Sequence, residues 1–333
     1  MGVGDEVYWL PRNTTWGMMP TSAEDLLVPI KMTLPMLVFR IFWESFIGVP
    51  IGYALGYYGD GSLAAQICGH FFGGFARNSR PKRVLECFWR LSFYIAAFCY
   101  GLWVLHNKSW FSDVKECWIG YPQHIVPTDV WWYYMLELSF YYCLLVTSVF
   151  DVKRSDFWQL IFHHIVTIGL LSVSYTINFV RVGTLVLISH DIADVLLEFG
   201  KLVRYDRNKT METNIVFVLF LITWIVSRLG YFPFVIIRSA TFEAAGLIQP
   251  DYEIFNLLQL PYAPRVTILL LCALLVLHVF WTVVISKVVY TTIAHGEAKD
   301  VRSDSEGSED ESAPLKETER KKVLTKRKPT KAD

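Results

Sequence analysis

Asp151 to Leu202 reads DVKRSDFWQLIFHHIVTIGLLSVSYTINFVRVGTLVLISHDIADVLLEFGKL. It holds two mostly apolar runs, 157–176 and 180–200, each close to the ~20 residues that carry a helix across a bilayer. Only a few residues separate them, so a tight helical hairpin in a membrane is expected. Yet the first arm carries His163 and His164, and the second His190, Asp191, Asp194 and Glu198. One ionisable residue at the bilayer centre costs about 2.5–3.5 kcal/mol, so the three acids imply roughly 7–10 kcal/mol unless they face a polar interior. His190, Asp194 and Glu198 follow one another at i, i+4 and share a stripe. At 1.5 Å rise per residue, His163 (six residues after Phe157) and Asp194 (six before Gly200) both lie about 9–10 Å from the same end. His190 lies about 15 Å deep, level with Thr167. The histidine pair and Asp194 are therefore expected to meet. A histidine oriented by a carboxylate serves acyl transfer as base or as nucleophile. Metal binding is the competing reading of His and Asp together, but no third convincing ligand cluster accompanies it, and no metal is assigned.

The rest of the chain has the same character. Of 333 residues, 53% are hydrophobic and 16% aromatic, with 12 Trp, a composition of multi-span membrane proteins and not of soluble domains. Five further candidate spans, 33–58, 85–106, 130–150, 214–238 and 265–290, bring the total to seven. The first is the least clean: it holds Pro35 and Pro50, and Arg40 and Glu44 one turn apart, positioned to neutralise each other. Glu137 and Arg228 fall about 20 Å from the same end by helical rise and are expected to pair across helices. His278, among apolar and aromatic neighbours, reads as a hydrogen-bonded packing residue. Cys87, Cys99, Cys143 and Cys272 sit in apolar stretches and read as small packing residues, not a disulfide framework.

Lys and Arg set the orientation. Arg77, Arg80, Lys82 and Arg83 lie in loop 59–84, Lys153 and Arg154 in connector 151–156, and Lys201 and Arg204 at the start of loop 201–213. These loops alternate onto one side, which is read as cytosolic. The formal net charge of zero says nothing about partners; this asymmetry does. Residues 1–32 are then a lumenal segment with no signal-peptide pattern, 59–84 a cytosolic linker, and 296–333 a cytosolic tail. Of three Asn-X-Ser/Thr sites, Asn13 is the expected glycan acceptor, Asn107 is too close to a span end, and Asn208 faces the wrong side. The tail is acidic, then basic, without apolar periodicity, and is expected to be disordered. Ser303, Ser305 and Ser308 are its candidate phosphorylation sites.

The 151–202 stretch closely resembles the Lag1 motif of ceramide synthases, within the TLC domain. The resemblance continues in ECFWRLSFYIAAFCYGL (86–102), KECWIGYP (115–122), YYMLELSFYYCLL (133–145) and SRLGYFPF (227–234), and VRSDSEGSEDE (301–311) looks like the family's phosphorylated tail. The resemblance implies an endoplasmic-reticulum enzyme that N-acylates a sphingoid base from acyl-CoA. It implies an all-α polytopic fold in which six helices of a TLC domain, 85–295, ring a central pore beside one N-terminal helix at 33–58. The family's working residues fall on His163, His164, His190, Asp191 and Asp194. Acyl-CoA is a co-substrate, and no cofactor is called for. The Hox-like segment of many animal members is absent or reduced to FARNSRPKR within 59–84, so no nucleic acid is expected as a partner. Membrane lipids are partners, and pairing with itself or other ceramide synthases belongs to the family pattern.

The anionic CoA portion cannot enter lipid cheaply. It is expected at the cytosolic mouth, near Arg77, Arg80, Lys82, Arg83, Lys153, Arg154, Lys201 and Arg204, although each of these alone also serves as a topology signal. Two other classes compete: a non-enzymatic TLC lipid carrier or sensor, whose relatives lack the full His-His and His-Asp set, and a proton-coupled transporter, which needs charges spread through the bilayer and not clustered in one hairpin.

Overall fold

The computed structural model describes residues 4–58, 61–77, 79–205, 210–249 and 251–295, and every regular element among them is helical. Asn208 and the tail serines 303, 305 and 308 lie outside the described residues. Seven long helices organise the described chain: α1 (Ala23–Ala54), α2 (Arg80–Leu105), α3 (Thr128–Thr147), α4 (Phe157–Thr176), α5 (Val180–Arg204), α6 (Thr210–Gly246) and α7 (Ala263–His295). α1, α2, α4, α6 and α7 are long and apolar enough to cross a membrane. α3 and α5 have the length but carry more polar residues, α5 the His190–Glu198 stripe among them.

Local chemistry moves the expected boundaries. α4 keeps the expected bounds. α2 begins at Arg80 because the Ser79 hydroxyl accepts from the Lys82 amide at 3.3 Å and Pro81 sits in the first turn. Arg80, Lys82 and Arg83 thus belong to a helix start, not to a free linker. α6 widens to π geometry over Ile225–Ile237 around Pro233, where a proline ring would clash with a regular α-helical turn.

The helices close into a ring. α2 packs on α5, α5 on α6, α6 on α7, α7 on α4, α4 on α3, and α3 back on α2, while α1 lies outside against α3. This corrects the expected close hairpin. α4 and α5 are joined by only three residues, yet each packs chiefly on other helices and they stand on opposite sides of the ring. Their joint is tight: Asn178 takes the left-handed conformation (φ 60°), which Asn tolerates, and its side chain donates to the carbonyls of Pro122 (2.7 Å) and His124 (2.9 Å). The arms diverge from that joint and leave room between them at the other end.

Arg40 and Glu44 do pair, at 2.8 Å, inside a larger buried network. Arg40 also grips Asp151 through two hydrogen bonds of 3.0 and 2.6 Å. Lys82 meets Glu44 at 3.3 Å and Glu86 at 3.5 Å, and His70, on the short helix Leu63–Phe71, reaches Glu44 at 3.4 Å. Charge pairing thus pins α1 and the linker to the ring near the α3–α4 connector. Removing one partner from such a pair typically costs about 3–5 kcal/mol.

Candidate active site

A cavity enters the ring, walled by residues of α2 to α7. Arg90, Arg154, Glu198, Lys201 and Arg204 line the end nearest the α3–α4 connector. His163, His164, Asp194, Arg228 and His278 line the far part, with apolar wall such as Leu197, Phe217 and Ile285 along the way.

His163 and His164 project from α4 about 100° apart, as neighbours on a helix must. Their rings are 5.8 Å apart by centroid. Tyr141 of α3 lies edge-on to both, at 6.2 and 6.3 Å, and Trp281 of α7 meets His163 at 5.5 Å and 83°. The Nδ1 atom of each histidine is sealed and has no hydrogen-bond partner among the described residues. Nε2 is the nitrogen left to face the cavity.

A second cluster stands on the other wall. Arg228 Nη2 donates to Asp194 Oδ2 and to the His190 carbonyl, both at 3.0 Å. His190 Nδ1 is 2.6 Å from the Val186 carbonyl. A carbonyl only accepts, so Nδ1 carries the proton and neutral His190 offers a lone pair at Nε2. That nitrogen lies 3.2 Å from His278 Nε2, which Arg228 Nη1 also approaches at 3.5 Å.

Two expected contacts are replaced. Asp194 accepts from Arg228 and not from a histidine of α4, because α4 and α5 face each other across the ring. Arg228 therefore does not pair with Glu137, whose helix α3 is not a ring neighbour of α6. Asp191 shares a helix with Asp194 but points elsewhere, accepting from the Tyr133 hydroxyl at 3.2 Å, and does not line the cavity. His190 stays behind His278. His278 is buried and hydrogen-bonded as expected; its partner is His190, and Arg228 lies 3.5 Å away.

The basic residues divide. Arg154, Lys201 and Arg204 reach the cavity; Lys201 also holds Glu198 at 2.6 Å. Lys82 is spent on the buried network, Lys153 lies over the Phe157 ring at 5.1 Å, and Arg80 donates to the Tyr205 carbonyl at 3.3 Å. Arg77 and Arg83 are not among the lining residues. Arg90 was overlooked, although an arginine inside an apolar span is itself a signal; it pairs with Glu198 at 3.2 Å on the cavity wall. Among the described residues no group of three His, Cys, Asp or Glu side chains is placed to hold a metal ion, and Arg228 puts a cation beside Asp194 and His278.

Fold and site together define a multi-pass membrane protein with a charged cavity built around paired imidazoles. The family model of the TLC domain (TRAM, LAG1 and CLN8) matches residues 83–287. Ceramide synthase hyl-1 of Caenorhabditis elegans is 56% identical over 305 residues, covering 90% of this chain and 83% of that protein. Ceramide synthase hyl-2 of the same organism is 39% identical, covering 90% and 92%. Human ceramide synthase 5 is 31% identical, covering 92% and 87%. The chain belongs to the TLC-domain family and, within it, to the ceramide synthases.

Proposed function

We propose that this chain is an acyl-CoA-dependent sphingoid-base N-acyltransferase that works through an acyl-imidazole on His163. The observation that carries the reading is the cavity itself: paired imidazoles on an inner wall, a basic opening, and apolar lining between. Acyl-CoA is the co-substrate and the sphingoid base the acceptor; the reaction needs no further cofactor. CoA sits at the opening, near Arg154, Lys201 and Arg204, and the acyl chain runs inward.

A thioester is already activated, so the difficulty lies in supplying a nucleophile away from water. Neutral His163 attacks the carbonyl through Nε2. The C–S bond breaks and CoA leaves as thiolate, while the sealed Nδ1 keeps its proton and the ring becomes an N-acylimidazolium. The neutral sphingoid amine then attacks the acyl carbon, the C–N bond to the ring breaks and restores neutral His163, and the proton that the amine sheds neutralises the thiolate. The balance is one amine and one thioester to one amide and one thiol. His164 takes a positioning or proton-transfer role, because its ring points away from that of His163. Purified protein given acyl-CoA alone should release CoA stoichiometrically and gain one acyl mass on the peptide carrying His163. His163→Ala should abolish the adduct. CoA release only in the presence of sphingoid base, with no adduct trapped, would replace this route by general-base catalysis.

The same reading places the protein in the endoplasmic-reticulum membrane, amid membrane lipids and alone or paired with another copy or relative. Its N-terminus is lumenal and its tail cytosolic. Asn13, exposed in a turn with φ 62°, carries the glycan. Glycosidase should shift the protein's mobility, Asn13→Gln should remove most of that shift, and a glycan on Asn208 would invert the orientation.

A further inference from the structure

His163 lacks the usual means of fixing an imidazole. Nδ1 has no hydrogen-bond partner among the described residues, and the carboxylate expected to orient it, Asp194, is committed to Arg228. Ring contacts must hold it instead. Trp281 meets it at 5.5 Å in an edge-to-face arrangement, with Tyr141 on another side at 6.2 Å. Trp281 is itself fixed: its indole N–H donates to Asp156 Oδ2 at 3.1 Å. Asp156 is buried and directly precedes α4, the helix that carries His163. All four residues line the cavity. The tether therefore closes a loop from the base of α4, across to α7, and back to the His163 ring.

We propose that Trp281 and Asp156 are positioning residues for the acyl-transfer histidine, acting as an aromatic clamp in place of a carboxylate orienter. This inference rests on the reading of His163 as the reacting residue.

The test uses the full-length protein in lipid nanodiscs, with acyl-CoA alone and thiol detection of released CoA, followed by steady-state turnover with sphingoid base. Trp281→Phe keeps a ring but drops the N–H. Asp156→Leu removes the acceptor, and Asp156→Asn keeps one in its amide oxygen. Loss of orientation at a reacting centre costs up to roughly 100-fold. We expect Trp281→Phe and Asp156→Leu each to slow CoA release about 10- to 100-fold, with KM for acyl-CoA close to wild type. Asp156→Asn should stay within about 3-fold of wild type, and the double variant Trp281→Phe/Asp156→Leu should be slower by less than the product of the two single effects, because the two share one hydrogen bond.

Wild-type rates in Trp281→Phe, multiplying effects in the double variant, or an Asp156→Asn defect as deep as that of Asp156→Leu would each overturn the clamp. If wild-type protein releases no CoA without sphingoid base, the covalent reading fails and not the clamp. The same variants are then compared by kcat, where the same order of effects is expected, since a general base needs its ring oriented as much as a nucleophile does.

Discussion

Arg228 and Asp194 hold each other at 3.0 Å inside the helix ring, and the same guanidinium nitrogen also donates to the backbone carbonyl of His190. One arginine on α6 thus fastens a full turn of α5 and neutralises an acid on the cavity wall. Nη2 serves both acceptors while Nη1 lies 3.5 Å from His278 Nε2, and a lysine ammonium cannot copy that planar spread. Arg228→Lys and Asp194→Asn are each expected to lower both thermal stability and turnover. The stability loss should be about 3–5 kcal/mol where a buried charge loses its partner. The apolar double variant Arg228→Met/Asp194→Leu should recover stability without recovering turnover. Thermal unfolding in detergent and acyltransferase assays on the same preparations separate the two effects. Full activity in Arg228→Lys would show that the fork is not required.

The basic residues also separate by what they touch. Arg154 and Arg204 line the cavity, whereas Lys82 is buried against Glu44 and Glu86. Arg154→Ala and Arg204→Ala should raise KM for acyl-CoA by roughly 2- to 5-fold each, the scale of one partly solvated charge contact. The effect should shrink in high salt, where such contacts are screened. Lys82→Ala should lower the thermal midpoint and leave KM in place. A KM rise for Lys82→Ala equal to that of Arg204→Ala would mean that CoA reaches the buried network.

Much of this was legible in the sequence, and the gaps share one cause. Seven long helices and the paired histidines follow from runs of apolar residues and from the ions that interrupt them. Helical rise also gives depth, which is why Glu137 and Arg228 looked like partners. Depth does not give position around the ring. α3 and α6 are not neighbours there, nor are α4 and α5 despite their three-residue joint, so equal depth placed side by side groups that face each other across the cavity. The partners of His278 were hidden for the same reason. Its neighbours on its own helix are apolar, and the groups that give it a role, His190 and Arg228, come from α5 and α6.

His124 offers a pH-dependent signature outside the helices. It is buried in the α2–α3 connection, and neither ring nitrogen has a partner among the described residues. Burial, aided by the charge of Arg181, pushes it down from the ordinary 6.5 to about 4. Below pH 6.5 the unfolded chain takes up this proton while the folded chain does not, so its contribution to stability is complete above that pH and falls as the pH drops toward 4. The thermal midpoint of wild-type protein should therefore decline more steeply between pH 6.5 and 4 than that of His124→Phe. Parallel curves for the two proteins would mean that His124 titrates normally.

Arg265 organises the loop that joins α6 to α7, a segment expected to influence acyl-chain length. Its guanidinium donates to the carbonyls of Glu253, Ile254, Asn256 and Gln259 at 2.5 to 3.2 Å and lies 4.9 Å over the Tyr252 ring. The N-terminal segment packs on the same loop: the Tyr262 amide donates to the Tyr8 carbonyl at 2.6 Å, and their rings stack at 5.9 Å. Four carbonyls released at once cannot all be satisfied by neighbouring side chains, so the loop should open when Arg265 is lost. Arg265 lies outside the cavity lining. Arg265→Ala should therefore leave CoA release from acyl-CoA measurable while shifting the chain-length profile of the ceramides formed. Arg265→Lys should shift it nearly as far, because one ammonium cannot span four acceptors. Lipid profiling in cells lacking endogenous ceramide synthases reads the result. An unchanged profile in an active Arg265→Ala protein, alongside a changed one on exchange of the whole segment with that of a relative of different selectivity, would place selection in the segment's side chains and not in the shape that Arg265 imposes.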